Sequence, residues 1–425
     1  RPPMKNDNDV LLKVDHLCQY FKMGNKELKA VDDVSFEVRK GEVFGLVGES
    51  GCGKTTTGRS IIRLYDITGG NVWFEGVRTS AGTRSYKDAI AKKRAETAEK
   101  IKALKAKAKD DPSAAEGVKV EIAAAETEAA KFIADRKVAM AEAVGEAKRC
   151  DSDYAARLSA DLEKEYSKKF AAAEGDEQAL KKLRKEYAVK KRVAKRSKLT
   201  TRIQMIFQDP IASLDPRMTV REIIAEGLII NGVRDKEEID RKVYDILETV
   251  GLVREHAGRY PHEFSGGQRQ RIGIARAVVM NPDMIIADEP VSALDVSIQA
   301  QVINLLNDLR DKLGLTILFI AHNLSVVKYF SDKIGVMYFG KMVELAESDE
   351  LFRHPLHPYT KSLLSAIPLP DPKSEKERVR IVYNPIAEHD YSVEKPTMRE
   401  ITEGHFVYCN AAEEAKYRDE ITKQP

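Results

Sequence analysis

Between residues 10 and 47 apolar and polar positions alternate, as in Val34-Ser35-Phe36-Glu37-Val38, the period-two pattern of half-buried strands. Asn71-Val72-Trp73-Phe74-Glu75-Gly76 predicts a further strand ending in a turn. Three other runs are apolar without alternation: Val43-Phe44-Gly45-Leu46-Val47, Met284-Ile285-Ile286-Ala287 and Thr316-Ile317-Leu318-Phe319-Ile320-Ala321. They are too short for buried helices and are bounded by polar residues, so they predict parallel strands covered on both faces. Each is followed at once by polar chemistry: a glycine-rich loop, Asp288-Glu289, and His322. Ligands of open α/β sheets bind beyond the carboxyl ends of the strands, so three distant segments are expected to meet at one site.

From about residue 84 to 200 the pattern changes. Ala, Lys, Glu and Arg dominate, all strong helix formers. Tyr154, Leu158, Leu162, Tyr166 and Phe170 recur every four residues on one helix face, and Leu180, Leu183 and Tyr187 do so further on. Breaks are expected at Asp110-Asp111-Pro112-Ser113 and at Gly175-Asp176. The stretch predicts three or four long helices packed as antiparallel hairpins. A partly disordered helical linker is the alternative, and apolar positions are sparse before residue 150. The stretch carries thirty basic against twenty-one acidic residues, although the whole chain has a net charge of only +3. Lys181 to Lys198 alone holds ten basic residues and one acidic, which suits anionic lipid, nucleic acid, an acidic protein or a solvated helix face.

Composition narrows the class. A chain of 425 residues with 43% apolar and 32% charged residues is globular, and its length predicts about three domains. Cys18, Cys52, Cys150 and Cys409 are widely scattered and have no metal-ligand spacing, which favours a reducing compartment. No apolar run approaches the ~18 residues of a membrane span, and Arg1-Pro2-Pro3-Met4 lacks the apolar core of a signal peptide. Met4 is expected to be the natural start. Any work at a membrane would go through partners.

The glycine-rich loop carries the chemistry. Gly48-Glu49-Ser50-Gly51-Cys52-Gly53-Lys54-Thr55 is the G-x-x-x-x-G-K-[ST] phosphate loop, in its required place between a strand and a helix start at Thr56. Its glycines let backbone N–H groups close around phosphate oxygens, and the helix N-terminus adds roughly half a positive charge. Lys54 can reach the β- and γ-phosphates, and the Thr55 hydroxyl can ligate Mg²⁺. Asp288 at a strand end suits Mg²⁺ coordination, and Glu289 beside it can orient or deprotonate an attacking water. The Gln208 amide, after Ile203-Gln204-Met205-Ile206-Phe207, can complete the metal shell or hold the water. His322 can donate to a γ-phosphate. Alone, Gln208, His322 or an Asp-Glu pair would more often be structural; together they gain weight.

Phe264-Ser265-Gly266-Gly267-Gln268-Arg269-Gln270-Arg271, some twenty residues before Asp288-Glu289, resembles the signature motif of ABC (ATP-binding cassette) ATPases. The resemblance covers residues 10 to about 345 apart from the helical block. It implies a P-loop NTPase (RecA-like) α/β core with an antiparallel β subdomain (10–83), a Q-loop region (201–210), a helical signature subdomain (211–280) and the second half of the core (281–345), and the helical insertion (84–200) is a departure from it, since most members join those points by a short connection. By that resemblance Gly48, Ser50, Gly51, Cys52, Gly53, Lys54, Thr55 and Thr56 bind ATP. Gln208 is the Q-loop residue, Asp288 and Glu289 are Walker B, Asp295 closes the D-loop Ser292-Ala293-Leu294-Asp295, and His322 is the switch histidine. Thr55, Gln208 and Asp288 would hold Mg²⁺, and Glu289, His322 and Gln208 would act in hydrolysis. Phe21 matches the aromatic that stacks on adenine, with Tyr20 as a possible substitute. Ser265, Gly266, Gly267 and Gln268 would meet the ATP of a partner in a head-to-tail dimer.

Leu46–Thr55 continuing into Gly58-Arg59, and His354-Pro355-Leu356-His357-Pro358-Tyr359-Thr360-Lys361-Ser362-Leu363-Leu364-Ser365-Ala366-Ile367-Pro368, resemble ATPase subunits of oligopeptide/dipeptide importers. Gly404-His405-Phe406-Val407-Tyr408-Cys409 resembles the end of their C-terminal extension, here 346–425. Many relatives carry several cysteines in this tail and some build an iron–sulfur cluster; with only Cys409 none can form here. The resemblance implies a second, homologous ATPase subunit, two transmembrane permease subunits, an extracytoplasmic substrate-binding protein, and a peripheral place on the cytoplasmic face of the cell membrane. It assigns nothing to the insertion. The competing reading is a non-transport ABC ATPase that acts on nucleic acid or the ribosome through the basic helices. One phosphate loop and one signature argue against it, so nucleic acid is not an expected partner.

Overall fold

In the computed structural model the described residues are 9–110, 115–367 and 380–423. The first two strands, β1 (Val10–Met23) and β2 (Lys26–Arg39), pair antiparallel and bury Leu12, Val14 and Leu17 with Val34, Phe36 and Val38. β3 (Val43–Val47) then enters a different sheet and leads through the phosphate loop into α1 (Lys54–Ile61). β4 (Gly69–Phe74) returns beside β1, and β5 (Val77–Ala81) completes a four-stranded antiparallel sheet of order β2-β1-β4-β5. The apolar pattern gives no sign of β5, because its buried positions are Thr79 and Ser80. Thr79 is accommodated by donating its hydroxyl to the Val72 carbonyl, 3.2 Å away.

Three helices occupy the Ala/Lys/Glu/Arg block: α2 (Arg84–Asp110), α3 (Ala115–Ala172, 58 residues) and α4 (Glu177–Ala194). The expected break at Asp110–Ser113 lies, beyond Asp110, outside the described residues. The second break is present. Gly175 takes φ 102°, and Asp176 caps α4 by accepting from the Gln178 and Ala179 amides at 3.1 and 3.0 Å. Both junctions are antiparallel, since Lys93 meets Glu128 at 2.6 Å and Tyr166 meets Glu186 at 2.6 Å. The sparse first half is packed largely by small residues: Ala125, Ala129, Ala143 and Ala147 are buried along with Ile90, Leu104 and Val118.

The apolar stripe of α3 does two jobs. Tyr154 and Leu158 pack into the core beneath the antiparallel sheet, together with Val72, Phe74 and Leu199. Twelve residues on, Tyr166, Phe170 and Tyr187 form a ring cluster with centroids 5.2–5.9 Å apart, which fastens α4 to α3. The insertion is also tied to the nucleotide-binding elements. Arg63, just past α1, donates to the Cys150 sulfur at 3.3 Å, Arg78 of β5 pairs with Glu146 at 2.9 Å, and Arg84 pairs with Glu27 of β2 at 2.7 Å.

β6 (Ile203–Ile206) precedes three helices, α5 (Val220–Ile230), α6 (Lys236–Thr249) and α7 (Gly266–Val278), each started by a side-chain cap, from Thr219, Asp235 and Ser265. Their apolar faces form one core with the sheet that follows. β7 (Met284–Asp288), α8 (Val296–Leu313), β8 (Thr316–Ala321), α9 (Leu324–Phe330), β9 (Lys333–Tyr338) and β10 (Lys341–Glu347) complete the cassette. The C-terminal segment adds α10 (Ser348–Arg353), α11 (Pro358–Ser365), α12 (Pro385–Glu388), β11 (Thr397–Thr402), β12 (His405–Cys409) and α13 (Ala411–Lys423).

The large sheet runs β11-β12-β10-β9-β3-β8-β7-β6. β9, β3, β8, β7 and β6 are mutually parallel, and the three strands predicted from unbroken apolar runs are its middle: β3 pairs β8, and β8 pairs β7, every residue buried. β12 joins β10 and β11 joins β12, both antiparallel, so the C-terminal segment continues this sheet, and residue 345 lies inside β10. Among the described residues no helix is long and apolar enough to cross a membrane.

Candidate nucleotide site

The phosphate loop follows the carboxyl end of β3, a central strand, and its shape depends on glycine. Gly48 and Gly53 have φ of 148° and 106°, and a Cβ on either would lie 2.2 Å from a carbonyl oxygen, of Met337 and Ala30 respectively. A side chain at either position would push the loop off the β9 and β2 backbones. Lys54 opens α1 and is 3% exposed. Its ammonium donates to the Gly48 and Glu49 carbonyls at 2.7 and 2.9 Å and lies 3.7 Å from the Cys52 sulfur, so the loop holds its own cation at its centre.

Thr55 and Asp288 are brought together from positions 233 residues apart: the threonine hydroxyl donates to Asp288 Oδ1 at 2.8 Å. Asp288 is fully buried, and its other oxygen, Oδ2, has no hydrogen-bond partner. Burial pushes its pKa up, more than the Thr55 hydrogen bond and the Arg59 charge pull it down. A buried carboxylate oxygen without a donor, beside a hydroxyl and a phosphate loop, fits a hard divalent cation.

Glu289 takes φ 45°, a left-handed conformation that is costly for a residue with a Cβ, and its amide is held by the Ile320 carbonyl at 2.9 Å. The turn brings the carboxylate between two other strand ends. Gln208, two residues beyond β6, donates Nε2 to Glu289 Oε2 at 2.9 Å, and His322, one residue beyond β8, approaches the same oxygen through Nδ1 at 3.2 Å. A carboxylate only accepts, so the imidazole N–H donates here. With its NH₂ committed to Glu289, Gln208 keeps its amide oxygen for another partner.

Phe21 on β1 sets its ring edge-on to Tyr65 at 5.3 Å. Neighbouring Tyr20 is otherwise engaged: its hydroxyl bonds Asp32, and Arg84 and Lys29 lie 5.1 and 5.2 Å from its ring. Of the two aromatics, Tyr20 is the one held by polar and charged neighbours.

Ser265 caps α7 in a reciprocal box with Gln268, at 3.4 and 3.1 Å, and Ser265 and Gly266 are exposed. Among the described residues no hydrogen bond joins residues 265–268 to residues 48–56. Asp295, at the start of α8, is also exposed and makes no side-chain cap. The chain thus brings Gly48–Thr56, Gln208, Asp288, Glu289 and His322 together and leaves the signature apart. Pattern reasoning missed Tyr65, behind Phe21, and Tyr359, whose hydroxyl accepts from the Glu49 amide at 3.0 Å across 310 residues. Neither has a local signal, because each acts through a tertiary contact.

Fold and site together define a P-loop ATPase with an added helical signature unit. An ABC transporter family model matches residues 31–194 and 172–292, and a model of the oligopeptide/dipeptide transporter C-terminal region matches 343–393. The oligopeptide transport ATP-binding protein OppF of Bacillus subtilis (strain 168) is 46% identical over 406 residues, covering 95% of this chain and 98% of that one. The dipeptide transport ATP-binding protein DppF of Lactococcus lactis subsp. cremoris (strain MG1363) is 42% identical, over 97% and 98%. The oligopeptide transport ATP-binding protein AmiF of Streptococcus pneumoniae serotype 4 is 41% identical over the same shares. The chain belongs to the ABC transporter ATP-binding family, in the branch with the oligopeptide/dipeptide transporter C-terminal region. These relatives favour the transport reading over the nucleic-acid one.

Proposed function

We propose that the chain is the ATP-hydrolysing subunit of a peptide importer, bound peripherally at the cytoplasmic face of the membrane. The observation that carries the chemistry is the convergence of Gln208 and His322 on one oxygen of Glu289. Those two bonds fix the carboxylate and leave Glu289 Oε1 to take a proton from water. The water oxygen bonds to the γ-phosphorus, the bond to the β–γ bridging oxygen breaks, and ADP and phosphate leave. Lys54 and the amides of residues 50–56 grip the triphosphate, and Phe21 stacks on the adenine. Mg²⁺, when bound, neutralises charge on the β- and γ-phosphate oxygens, and Thr55, Asp288 and the Gln208 amide oxygen are the groups that would hold it.

Exposed Ser265 and Gly266 of the signature turn, and exposed Asp295, support a head-to-tail pairing with a second, homologous ATPase subunit, in which the signature reaches the partner's nucleotide. Two permease subunits and an extracytoplasmic binding protein would complete the importer. Peptide as cargo rests on the relatives' names and the C-terminal region. The test is Glu289→Gln in the assembled transporter. ATP binding should persist while turnover falls by about 10²–10⁴. Turnover within threefold of the parent would remove Glu289 from its role.

A further inference from the structure

The C-terminal region lies outside the nucleotide chemistry as described so far, yet one of its side chains enters the phosphate loop. Tyr359, on α11 and 2% exposed, accepts the Glu49 N–H at 3.0 Å. The opposite side of the same residue is held too, because the Glu49 carbonyl accepts from Lys54 at 2.9 Å. The second residue of the loop is therefore clamped between Tyr359 and Lys54.

The clamp is rigid at its far end. Tyr338 and Tyr383 pack on the Tyr359 ring with centroids 4.4 and 5.5 Å away. The Tyr359 amide donates to His357 Nδ1 at 3.1 Å, the cap of α11. The Leu356 and His357 amides donate in turn to the fully buried Glu344 carboxylate of β10, at 2.8 and 3.0 Å. A phenylalanine would satisfy the packing at 359; only the hydroxyl explains the bond to the loop.

We infer that Tyr359 is a positioning residue of the phosphate loop, through which the C-terminal region sets the affinity of the cassette for nucleoside triphosphate. This rests on the phosphate loop being the nucleotide site. The Glu49 amide lies at the entry of the loop, before the residues that face the γ-phosphate. Losing its acceptor should weaken ground-state and transition-state binding alike, raising KM for ATP with little change in kcat.

The experiment compares Tyr359→Phe, Tyr338→Phe and Lys54→Ala in the full chain, with ATP binding followed by a fluorescent ATP analogue and turnover measured in the assembled transporter. Tyr359→Phe should weaken ATP binding and raise KM by about fivefold to tenfold, the effect of losing one hydrogen bond to a part-buried amide, with kcat within twofold. Tyr338→Phe, which removes a neighbouring hydroxyl not bonded to the loop, should bind as the parent does. Amide exchange of residues 46–52 should be slow in the nucleotide-free parent and at least fivefold faster in Tyr359→Phe. That readout serves even if the variant assembles poorly. Affinity and exchange within twofold of the parent in Tyr359→Phe, with binding lost in Lys54→Ala, would overturn the inference and leave the site standing. Unchanged binding in Lys54→Ala would overturn the site itself.

Discussion

Glu344 is the point at which the C-terminal region can be loosened with the least change of shape. Its carboxylate is fully buried and accepts three bonds, from the Leu356 amide (2.8 Å), the His357 amide (3.0 Å) and His405 Nε2 (2.8 Å). Leu356 and His405 share Oε1, and His357 uses Oε2. Glu344→Gln keeps the volume but offers only one acceptor. Its lower-energy rotamer keeps the oxygen on Leu356 and His405 and turns an NH₂ toward the His357 amide, donor against donor. One buried N–H is orphaned and two charge-assisted bonds become neutral, a cost of about 2–3 kcal/mol. Glu344→Ala orphans all three donors and should cost about 4–6 kcal/mol.

Native-state hydrogen exchange of the full chain reads this directly. Amides of residues 356–365 and 405–409 should exchange about 30- to 140-fold faster in Glu344→Gln, and faster still in Glu344→Ala. Glu347→Gln, at the exposed end of the same strand, is the control and should leave these rates alone. If both Glu344 variants exchange within threefold of the parent, the carboxylate is not what holds α11, and the rigidity claimed for the Tyr359 clamp goes with it.

Two other expectations follow from the same geometry. Burial, and secondarily the nearby His389, pushes the His357 pKa down to about 3. The unfolded imidazole takes its proton near pH 6.5 and the folded one does not, so the unfolded state binds more protons between these values and stability falls as pH falls, by about 2 kcal/mol from pH 7 to pH 5. His357→Asn keeps a cap for α11 and should flatten that dependence in denaturant titrations; an unchanged slope would refute the assignment. In the insertion, deleting residues 165–189 and bridging with a short Gly/Ser linker should leave the melting temperature of the cassette nearly unchanged. Deleting 84–200 should lower it steeply, because that removes Tyr154 and Leu199 from the core; equal losses would show that the two halves of the stripe are not separate in function.

What the sequence made legible follows from how local each signal is. β3, β7 and β8 announce themselves because a parallel strand buried on both faces must be apolar throughout, and the residue after each such run must stand at the site. The phosphate loop, Asp288 and His322 were placed on that logic. The engagement of Tyr20 by Asp32, Lys29 and Arg84 had no local signal, because those contacts are set by strand pairing and by the first turn of α2. β5 was hidden because it buries hydroxyls. The first half of the insertion looked thin because alanine fills the close seam between α2 and α3, where a count of large apolar side chains finds nothing.

The four-residue stripe from Tyr154 to Phe170 was visible, but its division was not: periodicity reports which face is buried and never against what. The same limit covers Tyr359 and Glu344. A tyrosine in a helix and a glutamate in a strand have no pattern of their own, and their meaning comes from an amide 310 residues away and from two amides at the start of α11. The catalytic half of this chain is therefore written in short motifs that bring their own backbone geometry. The half that tunes it is written in long-range hydrogen bonds from a segment that no step of hydrolysis requires. That difference predicts where substitutions will act: in the motifs on turnover, and along Glu344, His357 and Tyr359 on affinity and on the opening of the C-terminal region.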